Sequence, residues 1–577
     1  VSVFWKKGAA VAASVGTLAL VLAGCGASSS GNSSQGSNGS GQGQGGASQQ
    51  KPVEGGSVTL DMIQNIRDLD PAFAYDTQSN EVVTQLYDQL VTWKGDTTKL
   101  VPMAAEKYDI SKDGLTYTFH LRKNMKFWNG DPVTAQSFID EFYRVLSPKM
   151  GSNGQGFYEI IQGADQYAAG KTDKISGLSA PNPYTLVIKL SKPEAFFLQT
   201  LAMPFASAVD KKFIESVGNH QVYKKNPTFD STQAMGSGPF ELQTINSNQI
   251  VLKKNPNYWR TDSYGQKLPY LSKITFNINN NDQVDALHFQ QGQTAWIGWN
   301  FGGDGIPSSA YPQFMSNPNL KKLTVSAVQN SVQYVGLNTK LGPTKNKLVR
   351  QAIEYAIDKQ AIIKLNNGRG KVANQPLPPG VVGYDNNLSP KAQYTYDPNK
   401  AKQLLKQAGY PHGLTIDMYS ENSPDQVKFD QAVQGQLAKV GIKVKLHTSS
   451  WGTFLNVAEA GKAPMFWLAW IQDFPDASDF LNTLFNSNQA PVNNSTNYSN
   501  PQVDKWLNQA QYSNDQNERN QLYAKVTDQV MEDAAWVPIY YDVFTAAVQP
   551  WVHGFYIPKA TTDPLEWIWI DKSHQKG

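Results

Sequence analysis

Cysteine is almost missing from this chain. Of 577 residues only Cys25 carries a thiol, so no intrachain disulfide can staple the fold. Charge is scarce as well, at 17% of residues, and neither sign dominates, with 51 basic against 48 acidic side chains. A broad basic surface for holding nucleic acid is therefore not available, and no nucleic-acid partner is expected. Histidine occurs seven times, with no two copies close in sequence, which removes the paired spacing of a zinc site. Phosphate-binding loops and nucleophile-and-base motifs are also lacking, so an enzyme is not expected and no cofactor or metal is called for. Aromatic area, by contrast, is plentiful: 14 Trp, 26 Tyr and 25 Phe. That suits a large core and an aromatic-lined binding cavity equally well. The length allows two or more sizeable cores, and no internal repeat divides it.

Near the start, "GAAVAASVGTLALVLA" follows Lys6 and Lys7. The run is too short and too rich in alanine for a membrane span and has the pattern of a signal-peptide core. Leu22-Ala23-Gly24-Cys25 resembles a bacterial lipobox, in which the bond before the cysteine is cut and the thiol is lipidated. An ordinary signal peptide or a short anchor is the alternative. Residues 26–50 are almost entirely Gly, Ser, Gln and Asn and read as a flexible tether. Its root-mean-square reach is roughly 25–30 Å. These features place the folded body at the extracytoplasmic face of the cell membrane, held through a lipid on Cys25. The long tether fits a Gram-positive surface better than a periplasm.

Beyond the tether the patterns alternate between strand and helix. "DTQSNEVVTQLYDQLVTW" spaces Val82, Val83, Leu86, Tyr87 and Leu90 as an amphipathic helix does. "DPVTAQSFIDEFYRVL" predicts a helix opened by Asp131-Pro132. "FELQTI" and "QIVLKKN" predict a hairpin after the Gly236-Ser237-Gly238-Pro239 turn, and "KLVRQAIEYAIDKQAIIKL" has helical periodicity. "LTIDMYS" and "IKVKLHT" flank the helix "QVKFDQAVQGQLAKVG", a strand–helix–strand succession that argues for an α/β domain. A helix over 515–533, the strand-like "WVPIYYDVFTAAV" and a final "LEWIWID" close the chain.

"LVPMAAEKYDISKDGLTYTFHLRKNMKFWNGDPVTAQSFIDEFYRVL" resembles the signature region of extracytoplasmic peptide-binding proteins of the oligopeptide/dipeptide ABC importer family. The likeness continues through "MGSGPFELQTINSNQIVLKKNPNYW", "QYVGLNTKLGPTKNKLVRQAIEYAIDKQAII", "VQGQLAKVGIKVKL" and "WLAWIQDFPDASDFLNTLF", in the family's order. The resemblance implies an α/β, two-lobed periplasmic-binding-protein-like fold with a hinge and an extra subdomain inserted in the first lobe. Its boundaries would be 51–93, 236–326 and 549–577 for the first lobe, 94–235 for the insert and 327–548 for the second lobe, with hinge crossings near 326–333 and 545–550. It also implies a peptide ligand and a partner permease with its ATPase subunits; a monomer is expected. Relatives of this fold also serve nickel chelates, glycosides and other solutes, and a peptide-pheromone sensing receptor is a further alternative. One departure is local: Ala295 stands where the family usually has an Asp.

The acidic stretch "WIQDFPDASDF" carries Asp473, Asp476 and Asp479. A spacing of three does not match the alternate ligands of a calcium loop. In the family's peptide binders an Asp three residues after a Gly-Trp or Ala-Trp pair meets the ligand's α-ammonium. Ala469-Trp470 followed by Asp473 fits that pattern, while Asp476 and Asp479 read as a polar turn and a helix start. The resemblance further implies that backbone groups of Ala469, Trp470 and Ile471 bond an added peptide strand. Trp451, before "GTF", and Trp470 would line side-chain pockets, with core packing the alternative for each. Asp88, in "LYDQL", would face the cleft. Some oligopeptide binders neutralise a peptide C-terminus with two arginines, whose places here are Ala458 and Trp467. Both cations are absent, so a C-terminus is not expected to be clamped that way, and Trp467 would add apolar area to the cleft.

Overall fold

The computed structural model describes residues 51–62, 66–217, 222–225, 229, 232–279, 281–298, 305–560 and 565–575. The expected signal peptide, Cys25 and the tether lie outside the described residues. Among those described, no helix is long and apolar enough to cross a membrane.

A mixed four-stranded sheet opens the fold. Ser57–Met62 runs parallel to Lys273–Ile278, which pairs antiparallel with Gln249–Lys254, and that strand forms the predicted hairpin with Phe240–Ile245. Alternation along Ser57–Met62 buries Val58, Leu60 and Met62 against Val83 and Leu86 of the helix Thr77–Leu86. That helix is shorter than its periodicity predicts. Asp76 caps it, and the chain turns extended at Tyr87 to enter the strand Val91–Trp93. A second sheet is wholly antiparallel, in the order Ala105–Ile110, Thr116–Leu121, Thr185–Lys189, Leu178–Asn182. Its inward residues Tyr117, Phe119 and Leu121 share a core with Phe138 and Phe142 of the helix Ala135–Val145. The helix starts after Thr134, not at Asp131-Pro132. Asp131 instead offers its carbonyl to the Phe127 N–H at 2.8 Å, and Pro132 bridges Lys126, so a local turn claims both residues first.

The remaining chain builds an eight-stranded sheet. Its principal strands are β1 (Ser331–Leu337), β2 (Leu414–Glu421), β3 (Ile442–Ser449), β4 (Met465–Ile471) and β5 (Trp536–Val548), in the spatial order β5-β1-β4-β2-β3. β1 is antiparallel to β5 and β4, whereas β4, β2 and β3 are mutually parallel. Side chains alternate across the sheet. Val332, Tyr334, Phe466, Leu468 and Trp470 face one core, and Val335, Leu337, Met465 and Trp467 face the other. Between β2 and β3 runs helix α1 (Pro424–Ala438), as the strand–helix–strand pattern predicts. Two further helices matter below, α2 (Trp451–Glu459) and α3 (Ala477–Phe485).

The 13-residue β5 continues past β1 to pair with Thr324–Val328 and with Trp296–Ile297, so the eight-stranded sheet extends through it to strands from the first part of the chain. One further expectation needs correction. "KLVRQAIEYAIDKQAIIKL" forms two helices, Lys347–Ala356 and Lys359–Leu365, because Asp358 caps the second by accepting from the Ala361 N–H at 3.0 Å. In "LEWIWID", Leu565–Trp567 is a 3₁₀ turn and only Trp569–Ile570 is strand, paired with Val552–His553.

Candidate ligand-binding site

Parallel β2, β3 and β4 end on the same side of their sheet, at Glu421, Ser449 and Ile471. The crevice outside the carboxyl ends of such strands is where open α/β sheets bind ligands. Here the crevice is widened by a splay. β4 pairs with β2 only at Met465 and Phe466, so among the described residues 467–471 have no strand partner on that side. A cavity of about 1030 Å³, counting its mouth, opens at this point and is lined in part by Glu421, Gln333, Trp451, Trp467, Ala469 and Ile471.

Strand alternation explains the lining. Residues 467, 469 and 471 project to one face, and all three reach the cavity. Trp467 is buried, donates its indole N–H to Gln333 Oε1 at 3.0 Å and stacks on Phe429 of α1 with centroids 5.7 Å apart. Trp451 opens α2, where its ring joins the cavity wall; its buried indole N–H has no hydrogen-bond partner among the described residues. Trp470, at an even position, takes the core-packing alternative. It turns to the opposite face and donates to Asp479 Oδ2 at 3.2 Å.

The three carboxylates divide by environment. Asp476 caps α3, accepting from the Ser478 N–H at 2.9 Å, and is ion-paired to the buried Arg519 at 2.7 Å. Asp479, in the first turn of α3, accepts from the Asp473 N–H at 2.9 Å as well as from Trp470, and so fastens the loop after β4. Both acids thus shape the turn and the helix start. Asp473 differs, since its carboxylate receives the hydroxyl of Tyr75 and has no cation beside it among the described residues. Burial pushes its pKa from 3.8 up to about 6, with the Tyr75 hydrogen bond opposing the shift. The pKa of Asp479 is pushed up too, first by burial and then by the charge of Asp473, while the Asp473 N–H and the Trp470 indole pull it down. Neither acid has a neutralising cation beside it among the described residues, and burial disfavours the charged form of each.

Tyr75 belongs to the other part of the chain, and it is not alone in reaching across. Phe474 stacks on Phe196 with centroids 5.0 Å apart, Gln511 donates to Glu194 Oε1 at 2.9 Å, and the Ala195 N–H donates to the Gln511 carbonyl at 3.1 Å. Sequence reasoning missed Tyr75, Glu421 and Gln333, whose roles arise only from contacts distant in sequence. Asp88 corrects an expectation: it does not face the cleft. It is fully buried, and its carboxylate accepts from Ser237 at 3.1 Å, Trp259 at 3.2 Å and Tyr258 at 3.3 Å. Burial raises its pKa to about 7, against the pull of those donors.

Residues 99–491 match the model of the bacterial extracellular solute-binding proteins, family 5, middle region. The dipeptide-binding protein of Escherichia coli K12 is 31% identical over 473 residues, which is 78% of this chain and 82% of that protein. Heme-binding protein A of Haemophilus influenzae is 29% identical over 495 residues, covering 83% of this chain and 86% of the relative. Among solved structures, the periplasmic binding protein DppA from Helicobacter pylori, in complex with the peptide STSA, superposes with a TM-score of 0.72 at 28% identity. That match covers 90% of this chain and 99% of the other.

Proposed function

The chain belongs to the bacterial extracellular solute-binding proteins of family 5, with the α/β two-lobed fold of that family, and from this premise we propose that it captures peptides by their free amino terminus. Asp473 carries the reading. A half-buried carboxylate just past the end of β4, with one hydroxyl donor and no cation among the described residues, is completed by an incoming ammonium, which supplies charge-assisted hydrogen bonds. Beside it, the unpartnered edge of residues 467–471 suits a peptide main chain lying as an added strand. The relatives named for dipeptide binding and for a bound tetrapeptide support the same class of ligand.

In this reading the first lobe is 51–93, 236–326 and 549–577, the insert is 94–235 and the second lobe is 327–548. The lobes close on the peptide as they meet across Tyr75, Phe474 and Gln511. The loaded protein, a monomer tethered through lipidated Cys25 at the outer face of the membrane, hands its cargo to a permease driven by ATPase subunits. It performs no chemistry on the peptide. Native mass spectrometry of freshly purified protein tests this: bound masses that fragment as peptides with free amino termini are expected. A porphyrin, sugar or metal chelate in their place would overturn the proposal.

A further inference from the structure

The cavity at the carboxyl ends of β2, β3 and β4 holds more acid than its donors account for. Asp542 lines it, but this carboxylate is satisfied within the wall: Ser331 donates to it at 2.7 Å and Gln333 at 3.4 Å, and the positive charge of Arg369 acts on it. Arg369 lines the cavity too, yet its guanidinium is directed into its own surroundings. It donates to the Ile306 carbonyl at 3.2 Å, to Asn366 Oδ1 at 3.3 Å and to Ser308. Glu421, the last residue of β2, is the group left over. It is half-buried at the cavity wall and has no hydrogen-bond or ion-pair partner among the described residues. Burial alone raises its pKa to about 7, a sign that nothing nearby stabilises its charge. With Asp542 and Arg369 offsetting each other, Glu421 is the acid of the cavity left without a countercharge among the described residues.

Around that charge the walls are aromatic. Trp451, Trp467, Phe429, Tyr540 and Phe544 all contribute. We propose that this cavity is a specificity pocket for a basic side chain, lysine or arginine, of a bound peptide, with Glu421 as the counter-ion. The inference rests on the peptide reading and adds to it a preference among peptides. A long basic side chain matches both halves of the site. Its methylene stem covers indole and phenyl faces, its cationic head meets Glu421, and aromatic faces attract the head further. A metal ion fits less well, because two carboxylates line the cavity and no cluster of three or more metal-ligating side chains occurs among the described residues. The position is also right. Ala469 and Ile471, the cavity's floor, lie on the same strand whose free edge would hold the peptide main chain, two to four residues before Asp473. A ligand held at Asp473 by its amino terminus would thus bring a following side chain over the pocket.

The test uses alanine pentapeptides with lysine, norleucine or glutamate placed at each position in turn, titrated calorimetrically into the protein. At one position lysine should bind about tenfold or more tighter than norleucine, as expected of a partly desolvated charge pair, and glutamate should bind weakest. Glu421→Gln should remove the lysine preference at that position, and Glu421→Lys should turn it toward glutamate. Norleucine peptides that bind with no gain from lysine at any position would overturn the pocket while leaving peptide capture standing. A lysine preference that survives Glu421→Gln would overturn it equally. If no pentapeptide binds to protein that melts cooperatively, the peptide reading fails and this inference falls with it.

Discussion

Asp473→Asn removes one charge and leaves the shape of the side chain, so it isolates what the carboxylate contributes. The structure sets the size of that contribution. Burial raises the pKa of the group from 3.8 to about 6. Each pKa unit corresponds to about 1.4 kcal/mol, so holding the ionised form there costs about 3 kcal/mol relative to water. A peptide ammonium that pairs with the carboxylate offsets this cost, which corresponds to about 100-fold in Kd. The estimate lies within the roughly 2–5 kcal/mol found on truncating one partner of a buried, hydrogen-bonded charge pair. Calorimetric titration with a free-amine peptide and its N-acetylated twin reads the effect directly. The native protein should prefer the free amine by about two orders of magnitude. Asp473→Asn should bring the two peptides to nearly equal affinity, chiefly by weakening the free amine. Equal affinities in the native protein would refute the reasoning. So would a preference that persists in the Asn variant, because the ammonium would then be held elsewhere.

The same site predicts a pH dependence. Burial raises the carboxyl pKa of Asp473, and an ammonium favours its ionised form. Affinity for a free-amine peptide should therefore be level above pH 6 and fall by about tenfold per pH unit below it, with no such fall for the acetylated peptide. A Kd unchanged between pH 7 and 5 would count against the pairing. Arg519→Leu strips the buried partner from Asp476; urea unfolding should show a loss of about 3–5 kcal/mol, and a loss below about 1 kcal/mol would mean that the pair is solvated. Cys25→Ala should move the protein from the membrane fraction to the soluble one, as cell fractionation and blotting would reveal. A protein that stays with the membrane unchanged would exclude lipidation as the anchor.

Local chemistry was the legible part. Asp476 as a helix start, the hairpin over 240–254 and the succession β2–α1–β3 follow from side-chain caps and apolar periodicity, which act over a few residues. Where local rules failed, a local competitor had won. Asp358 interrupts one long helical pattern with a cap of its own, and the carbonyl of Asp131 is claimed by Phe127, so that helix begins later at Thr134. Asp88 was misplaced for a different reason: nothing in "LYDQL" announces that Ser237, Trp259 and Tyr258 converge on its carboxylate.

The sequence by itself determined the family, the α/β class and the place of Asp476 and Asp479 at a turn and helix start, because these depend on residue order and on spacings of a few positions. Only the tertiary structure decided which acids are neutralised. Arg519 lies 43 positions from Asp476, Tyr75 reaches Asp473 from the opposite end of the chain, and Glu421 lines a cavity with no side-chain partner among the described residues. Charge compensation works through space over a few ångströms and takes no account of distance along the chain, so folding alone settles it.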